Sequence, residues 1–399
     1  MLRRSCDFLV VGAGVVGVTI SRELQRRYGG RVLVIEKEAS AALHASGRNS
    51  GVLHAGVYYQ AGSLKARLCV LGNQRMRAYC RERGLPINEC GKVIVARTGE
   101  DLPALEKLHS RAQANGIEAS IIDAQTLREI EPYAKTTEKA LYVKDTAVVA
   151  PQAVMAALLE DAQKEGVLFE FNCAWDHSER VGLARTAQGT IAYGHLVNCA
   201  GLFADRIAHA FDVGGNYHIL PFLGKFSQLR PQSKIQVRGN IYPVPDLRNP
   251  FLGIHFTKRP DGEVIIGPSA LPLLGREQYS RLKGATASDA FSMGKYMLRL
   301  FTKNRDHFRS LALKEIGKMT KKGFYHEAAG LVRGLEPNDL VVGKSAGIRA
   351  QLVNTRTAEL LNDFVIERGV CSTHILNANS PAFTSALPFA EHVVQTMEV

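Results

Sequence analysis

Residues 7–36 read DFLVVGAGVVGVTISRELQRRYGGRVLVIE, and this stretch decides the fold. Phe8, Leu9, Val10 and Val11 form a short apolar run of the kind buried on both faces of a parallel sheet. Gly12, Gly14 and Gly17 follow as Gly-x-Gly-x-x-Gly. Val15 to Leu24 keep helical apolar spacing, Gly29-Gly30 stop that helix, and Arg31 to Ile35 predict a second buried strand that ends on Glu36. The first glycine permits a tight turn, the second lets backbone approach a pyrophosphate, and the third packs helix on strand. The helix N-terminus offers N–H groups and a positive dipole end to phosphates. Glu36 stands about 20 residues beyond the glycines, where a carboxylate takes a ribose hydroxyl. Val16 in the first helical turn and Lys37 after the acid complete the nucleotide contacts expected of this stretch.

Working outward, the 399 residues exceed one typical core and predict two domains. With 46% hydrophobic and 22% charged residues the chain is a folded globular protein, not a disordered one. Arg3 and Arg4 precede no long apolar segment, so neither a signal peptide nor a membrane-spanning helix is expected, and the expected location is cytoplasmic. Cys6, Cys69, Cys80, Cys90, Cys173, Cys199 and Cys371 contain no Cys-x-x-Cys pair; they read as reduced thiols rather than a zinc or redox site. A formal charge of +12 points to an acidic substrate, an anionic membrane surface or nucleic acid, without choosing among them.

The segment His44–Tyr59, HASGRNSGVLHAGVYY, is rich in small and polar residues. Ser46, Gly47, Arg48, Asn49, Ser50 and Gly51 offer donors for phosphates or a ring edge, and backbone can approach a ligand closely there. Helices are predicted over 63–83, 102–115 and 152–165, the last opened by Pro151. Strands are predicted over 90–96, 167–171 and 195–200, with 140–149 extended; Ala200-Gly201 lets the last of these run close to a nucleotide. From Tyr217 to Gly267 the pattern changes to alternating strands separated by turn residues. Residues 281–322 read as helical and basic. Met293, Met297, Leu300 and Phe301 fall on one stripe, and Lys295, Arg299, Lys303, Arg305, Arg309, Lys314, Lys318, Lys321 and Lys322 decorate the rest. Such a helix suits an anionic lipid surface or an ordinary solvated face.

Several strings resemble one family closely. The glycine fingerprint and NSGVLHAGVYY resemble the D-amino-acid oxidase/glycerol-phosphate dehydrogenase superfamily of FAD oxidoreductases. Within it NSGVLHAGVYY, SLKARLCVLGN, CGKVIVA, YPVPDLRNPFLGIHFTK and the Gly347-Ile348-Arg349-Ala350-Gln351 signature resemble the L-2-hydroxyglutarate dehydrogenase family. Gly224-Lys225-Phe226 departs from the Gly-Glu-Tyr usual in that family. The resemblance implies an α/β fold: a Rossmann-like FAD-binding domain (1–85, 145–215 and 340–399) with an inserted, mostly antiparallel α+β substrate domain (86–144 and 216–339). It implies FAD held by Gly12, Gly14, Val16, Gly17, Glu36, Lys37, Ser46, Asn49, Ser50, Gly51, Ala200, Gly201, Gly347, Asn379 and Ser380, with His54 and Tyr58 approaching the flavin. The string HILNANSPAFTSALPFAEHVV resembles the family's flavin-binding strand, turn and helix.

The implied reaction is oxidation of L-2-hydroxyglutarate to 2-oxoglutarate. It needs a clamp for carboxylate, a base for the hydroxyl proton and a flavin for the hydride. Arginine suits the clamp and histidine the base. The base is expected among His54, His255 and His374, and the clamp is Arg349, with Lys258 or Arg259 for a second carboxylate; Tyr58 and His374 also line the substrate pocket. The electrons are expected to pass to a quinone at the cytoplasmic face of an anionic membrane or to another acceptor, a choice the residues leave open. Other substrates of the superfamily (another hydroxy acid, glycerol 3-phosphate, an amino acid) and flavin-dependent transfer-RNA modification are the alternatives, and no nucleic-acid module is seen.

Overall fold

In the computed structural model, which describes residues 4–247, 251–279 and 284–397, the apolar run at the start of the chain is the strand Arg4–Val11. It pairs in parallel with Val32–Ile35 on one side and with Gly189–Asn198 on the other. Val32–Ile35 pairs in turn with Leu168–Glu170, and Gly189–Asn198 with Ser372–Asn377, both in parallel. All four residues of Val32–Ile35 are buried, which explains its unbroken apolar sequence. The helices Val15–Tyr28, Pro151–Lys164 and Ala382–Thr396 pack together, the first against each of the other two.

The chain divides into two compact units, 1–48 with 151–221 and 349–399, and 49–150 with 222–348. The first is the expected Rossmann-like unit. Its boundaries differ from those expected from sequence, which gave it residues 49–85 and 145–150. Val52–Leu53 pairs with Ala147–Val149, which also pairs with Ile87–Asn88, so the excursion from 49 to 150 closes on itself. The helix Leu64–Glu82, capped by Ser63 Oγ accepting from the Ala66 N–H at 3.1 Å, packs against those strands.

The second unit is built on a mostly antiparallel sheet. The strand His255–Lys258 lies antiparallel to both Val264–Gly267 and Asn240–Pro243. Asn240–Pro243 runs parallel to Lys92–Val95, which pairs antiparallel with Lys139–Val143. Alternation along these strands divides the sheet into two faces. Val93, Val95, Ile241 and Phe256 enter one apolar cluster; Ile94 and Tyr242 enter another, with Tyr58, Leu105 and Leu108.

The basic segment is not one helix. It comprises Ala287–Lys303, Phe308–Gly317 and Lys321–Ala329, broken where Asn304 and His307 take left-handed backbone angles. Arg281, where the sequence pattern begins, and Arg248, Asn249 and Pro250 of the YPVPDLRNPFLGIHFTK string lie outside the described residues. Met293 and Leu300 are buried as expected, but Phe301, next to Leu300 within the same helix, is exposed. Lys318 is also not a surface cation: it is buried and its Nζ lies 2.6 Å from Glu315 Oε1. No helix among the described residues is long and apolar enough to cross a membrane.

Candidate functional site

Two constellations carry chemistry, one in each unit. In the first unit the glycine turn between Arg4–Val11 and Val15–Tyr28 forms a cradle. Gly12 has φ +105°, and a Cβ there would meet the Cys199 carbonyl oxygen at 2.7 Å; a Cβ on Gly17 would lie 1.9 Å from the Gly12 carbonyl. Neither position admits a side chain, and the backbone of Cys199 and Ala200 lies against Gly12. Gly14 caps the helix without a side-chain hydrogen bond. Ser46 Oγ accepts from the Val15 N–H at 2.9 Å, and the first intrahelical bond runs from the Val18 N–H to the Gly14 carbonyl. The amides of Val16 and Gly17 stand in the first turn ahead of that first intrahelical bond, the arrangement that receives phosphate.

Glu36 follows the strand Val32–Ile35, and both of its carboxylate oxygens bond backbone amides. One carboxylate oxygen accepts from the Ala13 N–H at 2.8 Å and the other from the Glu38 N–H at 3.0 Å, so the acid ties the glycine turn to its own strand. Lys37 is paired with Glu38 and also meets His44 Nε2 at 3.2 Å. Asn379 donates to Gln351 Oε1 at 3.2 Å, and the same oxygen accepts from Arg349 Nε at 3.1 Å. Asn379 and the exposed Ser380 lie in the turn between Ser372–Asn377 and Ala382–Thr396. His374 is corrected by the structure. It is fully buried, its Nδ1 accepts from Asn198 Nδ2 at 3.1 Å, its Nε2 meets Ser372 Oγ at 3.1 Å, and Phe211 packs edge-on at 5.1 Å. Burial pushes its pKa down to about 4. Both ring nitrogens are engaged within the fold, so His374 is a core residue and not a substrate contact.

In the second unit His54, Tyr58 and His255 come together as expected, around two residues that sequence reasoning missed, Lys92 and Tyr242. The registers Asn240↔Lys92 and Asn240↔Thr257 put Lys92, Tyr242 and His255 on one sheet face. The His255 ring stacks on Tyr242 with centroids 3.8 Å apart, and Tyr58 stacks on Tyr242 at 6.5 Å. His255 Nδ1 donates to the Gly253 carbonyl at 2.9 Å, since a carbonyl can only accept; Nε2 is left as the proton-accepting atom. Burial first, then the Lys92 charge, holds His54 well below the ordinary imidazole range; burial takes His255 down to about 3. Both imidazoles are thus neutral at neutral pH. A lysine inside the apolar string CGKVIVA was the available signal for Lys92, since alternation alone sends it inward with Ile94.

Arg259 Nη1 lies 3.1 Å from Glu263 Oε2, and Lys258 is a neighbouring charge of the buried Glu131. Asn49 Oδ1 accepts from the Gly51 N–H at 2.8 Å, which with Ser50 between them makes a tight turn, Gly51 at φ +79°. Gly347 lies on the strand Leu340–Asn354.

The family model for FAD dependent oxidoreductases matches residues 7–396. The L-2-hydroxyglutarate dehydrogenase of Escherichia coli (strain K12) is 33% identical over 397 residues, covering 98% of this chain and 93% of the relative. The mitochondrial L-2-hydroxyglutarate dehydrogenase of Homo sapiens is 33% identical over 427 residues, covering 99% and 90%. Among solved structures, the FAD-bound, dithionite-reduced L-alpha-glycerophosphate oxidase of Mycoplasma pneumoniae superposes with a TM-score of 0.77 at 21% identity, over 98% of this chain and 94% of that one. Glycine oxidase from Geobacillus kaustophilus gives 0.73 at 18%, over 99% and 96%.

Proposed function

The chain belongs to the FAD dependent oxidoreductase family and, within it, to the L-2-hydroxyglutarate dehydrogenases; from that premise we propose that it oxidises L-2-hydroxyglutarate to 2-oxoglutarate. The observation that carries the reading is a glycine cradle in the first unit that admits no side chain; the second unit, taken by itself, holds two buried, neutral imidazoles. The cradle fits FAD: Gly12 and Gly17 exclude any Cβ, the first-turn amides of Val16 and Gly17 would receive the pyrophosphate, and Glu36 would accept from the ribose. Bound there, FAD supplies the acceptor for the hydride that leaves C2 of the hydroxy acid.

The protein's own groups do the rest. Arg349, its Nε held by Gln351, fixes one carboxylate of the substrate. The His54–His255 pair takes the hydroxyl proton, at Nε2 in the case of His255, because both rings are held in the neutral form that can accept one. Neutral imidazoles at this position suit an alcohol whose proton must leave as the hydride does.

The same reading assigns a location. Six of the thirteen exposed large apolar side chains among the described residues are Phe291, Leu298, Phe301, Leu313, Ile316 and Met319. They share the segment 287–322 with Lys295, Arg299, Lys303, Arg305, Arg309, Lys314, Lys321 and Lys322. Exposed apolar groups among cations match an anionic lipid surface. We infer that this segment rests on the cytoplasmic face of a membrane and that a quinone there takes the electrons.

The test of the reaction is anaerobic mixing of the flavoprotein with L- and D-2-hydroxyglutarate, lactate, glycerol 3-phosphate and glycine. Bleaching of the flavin by the L-dicarboxylate alone is expected. Equal bleaching by the D enantiomer or by another member of the panel would overturn the substrate assignment.

A further inference from the structure

Lys92 places an amine inside the second unit with no hydrogen-bond or ion-pair partner among the described residues. The residue is 1% exposed and its Nζ has no hydrogen-bond partner among the described residues. Nζ stands 4.5 Å from the centroid of the Tyr58 ring and 5.2 Å from that of Tyr242, and the buried Tyr58 hydroxyl likewise has no hydrogen-bond partner among the described residues. Aromatic faces offset only part of the desolvation of a buried cation, whereas a carboxylate offsets far more. Around it stand His54 and Tyr58 from the segment after Val52–Leu53, Cys69 from Leu64–Glu82, Tyr242 from Asn240–Pro243, and His255 from His255–Lys258, while the paired strand Lys139–Val143 sets Val143 opposite it. None is a carboxylate. Lys258 and Arg259, by contrast, have Glu131 and Glu263.

We propose that Lys92 is a substrate-binding residue whose ammonium, with the Tyr58 hydroxyl as second donor, pairs with one carboxylate of the hydroxy acid. The proposal rests on the hydroxy-acid reading above and supplies the second cation that a dicarboxylate requires. It also predicts a proton. Burial holds the Lys92 amine at about 7, so the free protein carries it largely uncharged above neutrality. A bound carboxylate restores the charged form, and binding above pH 7 therefore takes up a proton. The neighbours do not supply that proton: His54 and His255 are held neutral, the Cys69 thiol is pushed up to about 12, the Tyr58 and Tyr242 hydroxyls are raised by burial, and Lys65 rests its ammonium over the Tyr59 ring at 5.6 Å.

The experiment titrates FAD-loaded wild type and Lys92→Met with 2-oxoglutarate, following the flavin spectrum between about pH 6.5 and about pH 8.5. Flavin content and melting temperature establish that the variant is folded, and calorimetry of the wild type in two buffers of different ionisation enthalpy counts protons without any variant. The wild-type Kd should weaken up to about tenfold per pH unit above 7, with proton uptake. Lys92→Met should bind about 10–100-fold more weakly and without that pH dependence. Unchanged affinity in the variant, or binding to wild type without proton uptake, overturns the proposal. If wild type ignores 2-oxoglutarate but binds another carboxylate of the substrate panel, the substrate reading falls and Lys92 is judged with that ligand by the same criteria. If wild type binds no carboxylate, both fall.

Discussion

His54 and His255 show how burial sets a role that residue type alone leaves open. An imidazole is ordinarily half-charged near neutrality; here desolvation lowers both, and His255 titrates only near pH 3. A lowered pKa means the charged form is disfavoured in the folded protein, so the bases stay deprotonated throughout the neutral range. Flavin reduction by saturating substrate should consequently show no acid limb from these groups between about pH 7 and about pH 5. Removing the base costs typically ~10²–10⁴-fold in rate. Stopped-flow reduction of His54→Ala and His255→Ala should therefore show a loss of that size in at least one of them. Wild-type rates in both would leave the proton without an acceptor and the assignment wrong.

At the scale of elements, the strand–turn–helix opening is held together by the acid that ends the next strand. Glu36 bonds the Ala13 amide inside the glycine turn and the Glu38 amide in its own connection. Its loss thus removes a ribose acceptor and also slackens the cradle. Glu36→Ala should weaken FAD by roughly 1.5–3 kcal/mol, the range of a charge-assisted hydrogen bond, while the parallel sheet persists. Flavin fluorescence during titration of the deflavinated protein reads the affinity, and circular dichroism reads the sheet. Gly17→Ala is a harsher change, because its Cβ would lie 1.9 Å from the Gly12 carbonyl and the helix must shift away. That variant should purify colourless; retention of wild-type flavin content would show that the cradle does not receive the pyrophosphate.

At the scale of the molecule, the formal charge of +12 finds its densest expression in the helical segment 287–322. Each cation near anionic lipid contributes about 1 kcal/mol, screened by salt, while inserted apolar side chains are not screened. Vesicles rich in anionic lipid should therefore co-sediment the protein at low salt, neutral vesicles far less. Replacing Phe291 and Leu298, 75% and 63% exposed, by serine should weaken binding without altering flavin reduction in solution. Binding indifferent to lipid charge, to salt and to these substitutions would remove the membrane from the proposal.

The sequence by itself determined what depends on local order along the chain. The buried strand, glycine turn, helix and terminal acid of residues 7–36 are neighbours in sequence, and their apolar periods and glycine spacing specify the parallel unit without reference to anything distant. The alternating pattern after Tyr217 likewise specified an antiparallel sheet. Tertiary structure decided what depends on pairing between remote segments. The excursion at 49–150 belongs to the second unit because Val52–Leu53 finds its partner at Ala147–Val149. His374 became a core residue because Asn198 and Ser372 take its two nitrogens. Lys92 became a buried amine against aromatic rings only when the register with Asn240–Pro243 put Tyr242 on its face of the sheet and the fold brought the Tyr58 ring to 4.5 Å from Nζ. Period-2 alternation tells which side chains share a face of one strand, but a residue's electrostatic surroundings are set by the strands that pair beside it, and those lie about 150 residues away in the chain.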